Sequence, residues 1–351
     1  MTPQGWEEKT LGEILDKGSS NLSANKLDKG SGSYPVYGAS GLAAKVDFYQ
    51  QDSEYLAIIK DGAGVGRVYH YEPKTSVLGT LQYLHPKQGT NIRFAYYYLQ
   101  SIDFAKYYQG AAIPHIYYRD YKNEKLVLPP LPEQQRIVAK LDKAFEAIDK
   151  VKANAEQNLN NAKELFESTL YSLCNDKKAN WTTGRLDNYF VLQRGFDLPK
   201  QDRKKGQYPL VSSNGITDFI DTYKIKRPVV VTGRSGTIGS VHYVDENSWP
   251  LNTTLYVKDF KDNVPKYIFY YLKSLNLAEY SSGAGVPTLN RNYIHEIIIS
   301  FPLQSEQQKI VEKLDVLQEQ TKQLQAIYTK KIKECDELKQ SILQKAFRGE
   351  L

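Results

Sequence analysis

Apolar positions along this chain follow two periods in turn. Residues 1–132 carry short runs of Val, Ile, Leu and Tyr, such as Tyr55-Leu56-Ala57-Ile58-Ile59, bounded by clusters of Gly, Asn, Asp and Ser. That texture predicts strands joined by turns. Over residues 133–175 the period becomes seven: Leu141, Ala144, Ile148, Val151, Ala155, Ala162, Leu165 and Thr169 occupy heptad positions a and d, with Lys, Glu, Gln and Asn on the other faces. The strand texture resumes over 176–305, clearest at Pro228-Val229-Val230-Val231, and the heptads return over 306–351 through Leu314, Leu317, Thr321, Leu324, Tyr328, Cys335, Leu338 and Ile342. Residues 94–100 and 267–273 predict short aromatic helices within the strand-rich segments. Pro132 suits an early helix position, and Ser305-Glu306-Gln307-Gln308 reads as a capping box.

The two halves are copies. Glu133-Gln134-Gln135-Arg136-Ile137-Val138-Ala139-Lys140-Leu141-Asp142 returns 173 residues later as Glu306-Gln307-Gln308-Lys309-Ile310-Val311-Glu312-Lys313-Leu314-Asp315. Trp6 recurs as Trp181, Tyr34-Pro35 as Tyr208-Pro209, and Gly110-Ala111-Ala112-Ile113-Pro114 as Gly283-Ala284-Gly285-Val286-Pro287. A tandem duplication predicts an α+β fold: two similar β-rich globules, 1–132 and 176–305, each followed by a long helix, 133–175 and 306–351. The link between Cys174 and Trp181 is too short to double back, so the helices should form an antiparallel coiled coil, a rod of roughly 60 Å related by a pseudo-two-fold axis. Asn158 and Lys331 interrupt the heptads at matching places and would meet near that axis as a polar layer setting register, or else be partly solvated.

Paired, non-identical globules at a fixed separation suit duplex DNA, where about 60 Å spans roughly 18 base pairs, enough for two half-sites. Dissimilar copies imply an asymmetric target. The run Pro129-Pro130-Leu131-Pro132 leading into the decapeptide, with Trp6 before Leu11-Gly12-Glu13-Ile14 and Trp181 before Leu186-Asp187, resembles the signature of type I restriction-modification specificity subunits. The resemblance spans the chain and implies target recognition domains alternating with helical spacers. It also implies duplex DNA, two methyltransferase subunits and restriction/translocase subunits as partners, with S-adenosylmethionine, ATP and Mg in those partners and no cofactor here. The second copy departs from the signature at Phe301-Pro302-Leu303-Gln304-Ser305. The alternative from another class is a coiled-coil scaffold whose globules bind proteins or glycans.

Candidate DNA contacts lie in three pairs of loops. Lys60 and Arg67 flank Gly62-Ala63-Gly64-Val65-Gly66, and Arg234 and Ser235 sit in Gly233-Arg234-Ser235-Gly236-Thr237-Ile238-Gly239. Neither glycine run has dinucleotide spacing, so hairpin closure or phosphate approach is the expectation. His115, Tyr117, Tyr118 and Arg119 in the first copy answer to Thr288, Asn290 and Arg291 in the second; shared placement with differing polar residues is what separate base preferences require. Ser40 with Lys45, and Ser213 with Asn214, form a weaker third pair. Leu141, Ile148, Leu314 and Leu324 are the expected spacer seam.

Composition excludes more than it selects. Of 351 residues, 41% are hydrophobic and 25% charged, which permits folded cores. The net charge of +6 allows nucleic acid without demanding it. Two distant cysteines predict no disulfide framework and fit a reducing, cytoplasmic setting. The five histidines lack metal-binding spacing, and no methyltransferase or Walker A motif is visible, so no catalytic or metal residue is expected.

Overall fold

The computed structural model describes residues 5–27, 32–110, 113–283 and 287–351. The first copy forms β1 (Glu7–Thr10), α1 (Leu11–Ile14), β2 (Leu15–Lys17), β3 (Tyr34–Gly38), β4 (Gly41–Val46), β5 (Tyr55–Ile59), β6 (Val68–Tyr71), β7 (Ser76–Val77), β8 (Leu81–Pro86), α2 (Ile92–Ser101), α3 (Tyr118–Tyr121) and β9 (Lys125–Leu128), then the long helix α4 (Leu131–Asn175). The second forms β10 (Thr182–Arg185), β11 (Val191–Arg194), β12 (Lys205–Ser212), β13 (Gly215–Ile220), β14 (Val229–Gly233), β15 (Val241–Val244), β16 (Trp249–Pro250), β17 (Thr254–Asp259), α5 (Pro265–Ser274), β18 (Ser281–Ser282), β19 (Thr288–Leu289), α6 (Arg291–His295) and β20 (Ile298–Phe301), then α7 (Gln304–Phe347). Both aromatic helices expected from the sequence are present, as α2 and α5.

The sheets repeat with the sequence. A four-stranded sheet of order β2-β8-β5-β6 is matched by β11-β17-β14-β15, and a three-stranded sheet β4-β3-β7 by β13-β12-β16. In each copy the strand before the long helix pairs with the first strand of the globule, β9 with β1 and β20 with β10. The central strands β5 and β14 are buried along their whole length, which accounts for their unbroken apolar runs.

Two compact units result: residues 1–155 with 330–351, and residues 156–329. The boundary falls inside both long helices, so each unit holds one globule, part of α4 and part of α7. In the first unit Lys339 bonds Asp149 and Lys152 bonds Asp336. The number on one helix climbs as its partner's falls, so the helices run antiparallel there. Cys335, Leu343 and Ala346 from α7 join the core built around Tyr55, Phe94 and Leu141. In the second unit Phe166, Leu170 and Cys174 of α4 share a core with Ile310, Val311 and Leu314 of α7.

The duplicated decapeptide is a clamp between helix and globule. Gln134 is fully buried; its Oε1 accepts from the Asn91 amide at 2.8 Å while Nε2 donates to the Gly89 and Pro129 carbonyls at 2.9 and 2.8 Å. Gln307 repeats this with the Val264 amide at 2.9 Å, Asn263 Oδ1 at 2.6 Å and the Pro302 carbonyl at 2.9 Å. Two turns on, Asp142 accepts from Tyr97 and Arg93, and Asp315 from Tyr270 and Lys266.

Two expectations about the helices change. The seam keeps Leu141, Ile148, Ala155 and Ala162, but its second column is Phe145, Lys152, Leu159 and Phe166; Val151, Asn158 and Leu165 are exposed. In α7 the column is Gln318, Gln325, Ile332 and Lys339, leaving Leu324, Lys331 and Leu338 exposed, while Leu314 stays buried. Asn158 and Lys331 are thus solvent-facing positions, not seam positions. The globules decide this: Phe145 packs edge-on against Tyr97 at 5.3 Å, and Gln318 Oε1 accepts from the Tyr270 hydroxyl at 2.8 Å. The capping box also fails to form. α7 starts at Gln304, which puts Ser305 inside its first turn and not at the cap; the neighbouring Glu306 carboxylate accepts from Lys178, Asn180 and the Trp181 indole.

Candidate nucleic-acid interface

In the first unit two of the expected loops are knitted together. The glycine run closes the β5–β6 hairpin, with Ile59 donating to the Arg67 carbonyl and Gly66 to that of Ile59, both at 2.9 Å. Gly62, Gly64 and Gly66 stand at φ of +89°, +85° and +87°, which only glycine adopts freely. Strand, turn and strand is not the context of a dinucleotide loop. The Gly62 amide then donates to the Pro114 carbonyl (3.1 Å) and the Ile116 amide to that of Lys60 (2.9 Å), so the hairpin turn is bonded directly to the segment that carries His115, Tyr117 and Arg119. Gln109 and His115 exchange backbone bonds at 2.9 and 3.0 Å. Ala111 and Ala112 lie outside the described residues.

The side chains of that segment divide sharply. Tyr117 is exposed, with the His115 ring against it at 5.0 Å between centroids and the Arg119 guanidinium at 4.6 Å from its centroid. Arg119 Nε also lies 3.5 Å from Asp120 Oδ1 and remains largely open to solvent. His115, Tyr117 and Arg119 thus form a cationic, aromatic platform suited to phosphate or a base edge. Tyr118, expected among them, faces inward: its hydroxyl donates to the Leu15 carbonyl at 2.7 Å, and burial raises its phenol above the ordinary value. Lys60 is half-buried and Arg67 exposed, while Ser40 and Lys45 are exposed on the β3–β4 hairpin.

The second unit joins all three loops. The Arg234 and Ser235 amides both donate to the Thr253 carbonyl, at 2.8 and 3.2 Å, and the Arg234 carbonyl accepts from Leu289 at 2.8 Å. The β12–β13 turn is tied in by Thr237 Oγ1 donating to Asn214 Oδ1 and by Ser240 Oγ donating to the Ser213 carbonyl. Ser213 is buried, and Asn290 caps α6 by accepting from the Asn292 amide at 3.0 Å. Ser213 is therefore committed to the scaffold, while Asn290 stays exposed with its Oδ1 engaged in the cap. Arg291, Asn214 and part of Thr288 remain accessible, and Arg234 spends one edge on the Asn252 carbonyl at 3.4 Å. Behind them His295 Nε2 accepts from the Leu192 amide at 2.9 Å, and burial lowers its pKa toward the neutral ring that this bond needs. Residues 284–286 lie outside the described residues.

Thr237, Ser240 and His242, whose Nε2 lies 3.3 Å from the Ser213 carbonyl, were not anticipated. The first two stand inside or beside the glycine-rich turn that the sequence singles out. His242 is reached only through the strand pairing.

Residues 3–161 and 178–334 both match the family described as type I restriction modification DNA specificity domain. The chain belongs to that family. The two matches are the two copies of the repeat, globule and helix together. The EcoDI type I restriction enzyme specificity subunit of Escherichia coli is 22% identical over an alignment covering 99% of this chain and 89% of that protein. A solved structure concerned with complex assembly and conformational transition of the type I R-M system aligns over 100% of both chains, with 18% identity and a TM-score of 0.79. The HsdS subunit from Thermoanaerobacter tengcongensis aligns over 100% of this chain and 98% of its own, with 18% identity and a TM-score of 0.56. Both structures share the fold. Membership in a DNA specificity family favours DNA reading over the protein- or glycan-binding scaffold. Among the described residues no helix is long and apolar enough to cross a membrane.

Proposed function

We propose that this chain is the sequence-reading subunit of a type I restriction-modification assembly, each unit reading one half of a split duplex site. The observation that carries this reading is a duplicated scaffold presenting loops in the same places with different residues: His115, Tyr117 and Arg119 in one unit, and Asn214, Arg234, Thr288 and Arg291 in the other. A common scaffold fixes where base edges are met; the differing side chains fix which bases are preferred.

The subunit acts by position. Two methyltransferase subunits and the restriction subunits supply the chemistry, with S-adenosylmethionine, ATP and Mg, and this chain lowers the cost of bringing them to a chosen adenine. The exposed apolar side chains Val151, Leu165 and Tyr171 on α4, and Val316, Ile327 and Leu338 on α7, support helix surfaces as their docking sites. Anisotropy with pools of random duplexes, using the assembled complex, tests the reading. Enrichment of a two-part sequence with salt-dependent affinity is expected. Affinity indifferent to both sequence and salt refutes it, as does methyl transfer from S-adenosylmethionine by the purified chain alone.

A further inference from the structure

One feature of both hairpins is apolar and faces solvent. Leu42 is the second residue of β4, after Gly41, and Ile216 the second of β13, after Gly215; they are 58% and 47% exposed. Their places match in detail. Gly41 and Gly215 stand at φ of +105° and +92°, and both hairpins carry a bulge one residue further on: Tyr37 pairs with Leu42 but Val36 with Ala44, and Val211 pairs with Ile216 but Leu210 with Asp218. A bulge beside a turn re-aims the side chain next to it. A Cβ on Gly215 would come to 3.2 Å from the His242 ring, whereas one on Gly41 would meet nothing within 4 Å.

The neighbours on these hairpins differ between copies: Ser40 against Asn214, Lys45 against Phe219. The exposed branched aliphatic is kept, although it fills no core. In the second unit the hairpin turn is bonded to the Arg234 loop through Asn214 and Ser213, so the exposed Ile216 stands two residues from a turn tied to the candidate contacts. Among base edges in the major groove, the thymine 5-methyl is the apolar group.

We propose that Leu42 and Ile216 are specificity-determining contacts, each packing its aliphatic side chain on the methyl group of a thymine in the half-site that its unit reads. The proposal rests on the DNA-reading function above. It requires at least one specified A·T pair in each half-site.

The test uses the chain assembled with its methyltransferase subunits. After the preferred duplex has been selected from a random pool, each thymine is replaced in turn by deoxyuridine and affinity is read by anisotropy. At one thymine in each half-site, loss of the methyl should weaken binding by the unaltered complex about fivefold to tenfold. Leu42→Ala should lose a similar factor and become indifferent to uracil at one of those positions alone; Ile216→Ala should do so at the other. Leu42→Met, which keeps an apolar chain of similar reach, should retain the discrimination, and unchanged melting of all three variants separates contact loss from misfolding. Uracil tolerated at every position overturns the proposal, as do half-sites without a specified A·T pair. Leu42→Ala that weakens binding while staying as sensitive to uracil as the unaltered complex also overturns it, and points to a wedge between base steps. A complex that selects no sequence at all refutes the DNA-reading function itself, an outcome distinct from a selected site that tolerates uracil.

Discussion

Replacing Gln307 with Leu removes a side chain that makes three bonds in a fully buried place: to the Val264 amide, to Asn263 Oδ1 and to the Pro302 carbonyl. At about 1 kcal/mol net per bond, plus a further cost for stranding a buried amide and carbonyl, the loss is about 3 to 5 kcal/mol. For a unit of this size that lowers Tm on the order of 10 °C. Trp181 and Trp249 both lie in the second unit and Trp6 in the first, so tryptophan emission during urea unfolding follows mainly the unit under test. Gln307→Glu should be at least as damaging, because it discards the two donors and turns carboxylate oxygen toward the Pro302 carbonyl. Gln134→Leu should produce the same loss in the first unit. A Gln307→Leu chain that loses less than about 1 kcal/mol would show that the clamp is incidental and that the decapeptide repeats for another reason.

Other consequences can be measured separately. Arg119→Ala should relax one half-site by about 1 to 3 kcal/mol, the range for a lost base contact, and leave the other half-site intact; Arg291→Ala should do the reverse, and equal damage to both by either variant without unfolding would refute independent reading. The Lys178 ammonium, with the Trp181 indole and Asn180, holds the Glu306 carboxyl below its ordinary value of about 4.5. Its stabilisation is therefore present above that pH and fades as acid protonates the folded-state group; Glu306→Gln should flatten the acid limb of a melting-versus-pH curve for the second unit. Burial pushes the Cys174 thiol up to about 12, so its labelling by a thiol reagent at pH 8, read on its own peptide apart from Cys335 of the first unit, should track unfolding of the second unit and accelerate in Gln307→Leu. Lys339→Ala should cost more stability than Asp149→Ala, since the Lys339 ammonium also lies 5.1 Å from the Phe145 ring; equal losses would show that the ion pair alone matters.

The architecture was legible because duplication writes each element twice. Residues 55–59, read as a strand, form the buried strand β5, and of the run 228–231 all but Pro228 lie in the buried strand β14; the helices end where the apolar period stops. The heptad phase was not legible. Ala144 and Phe145, Val151 and Lys152, Asn158 and Leu159, Leu165 and Phe166 offer two adjacent columns, each only partly apolar. Choosing between them takes contacts with the globules, such as Tyr97 on Phe145, that no helical period contains. The loops were located by their glycines and by comparing copies, yet Tyr118 and Asn290 read as contacts because their types suit DNA. The inward bond of Tyr118 to the Leu15 carbonyl and the capping bond of the exposed Asn290 to the Asn292 amide depend on strand and helix ends whose positions a sequence fixes only loosely.

Phe347, near the end of α7, sets its ring against Phe94 at 5.3 Å and Tyr98 at 5.1 Å in the first unit's core. During synthesis the second unit emerges as one unbroken stretch and can close as soon as it leaves the ribosome. The first is made earlier but waits for residues 330–351 to complete its interior. A premature stop that spares both recognition globules would therefore cripple the one translated first, leaving an apolar trough open to chaperones and proteases while its later-made twin stands intact.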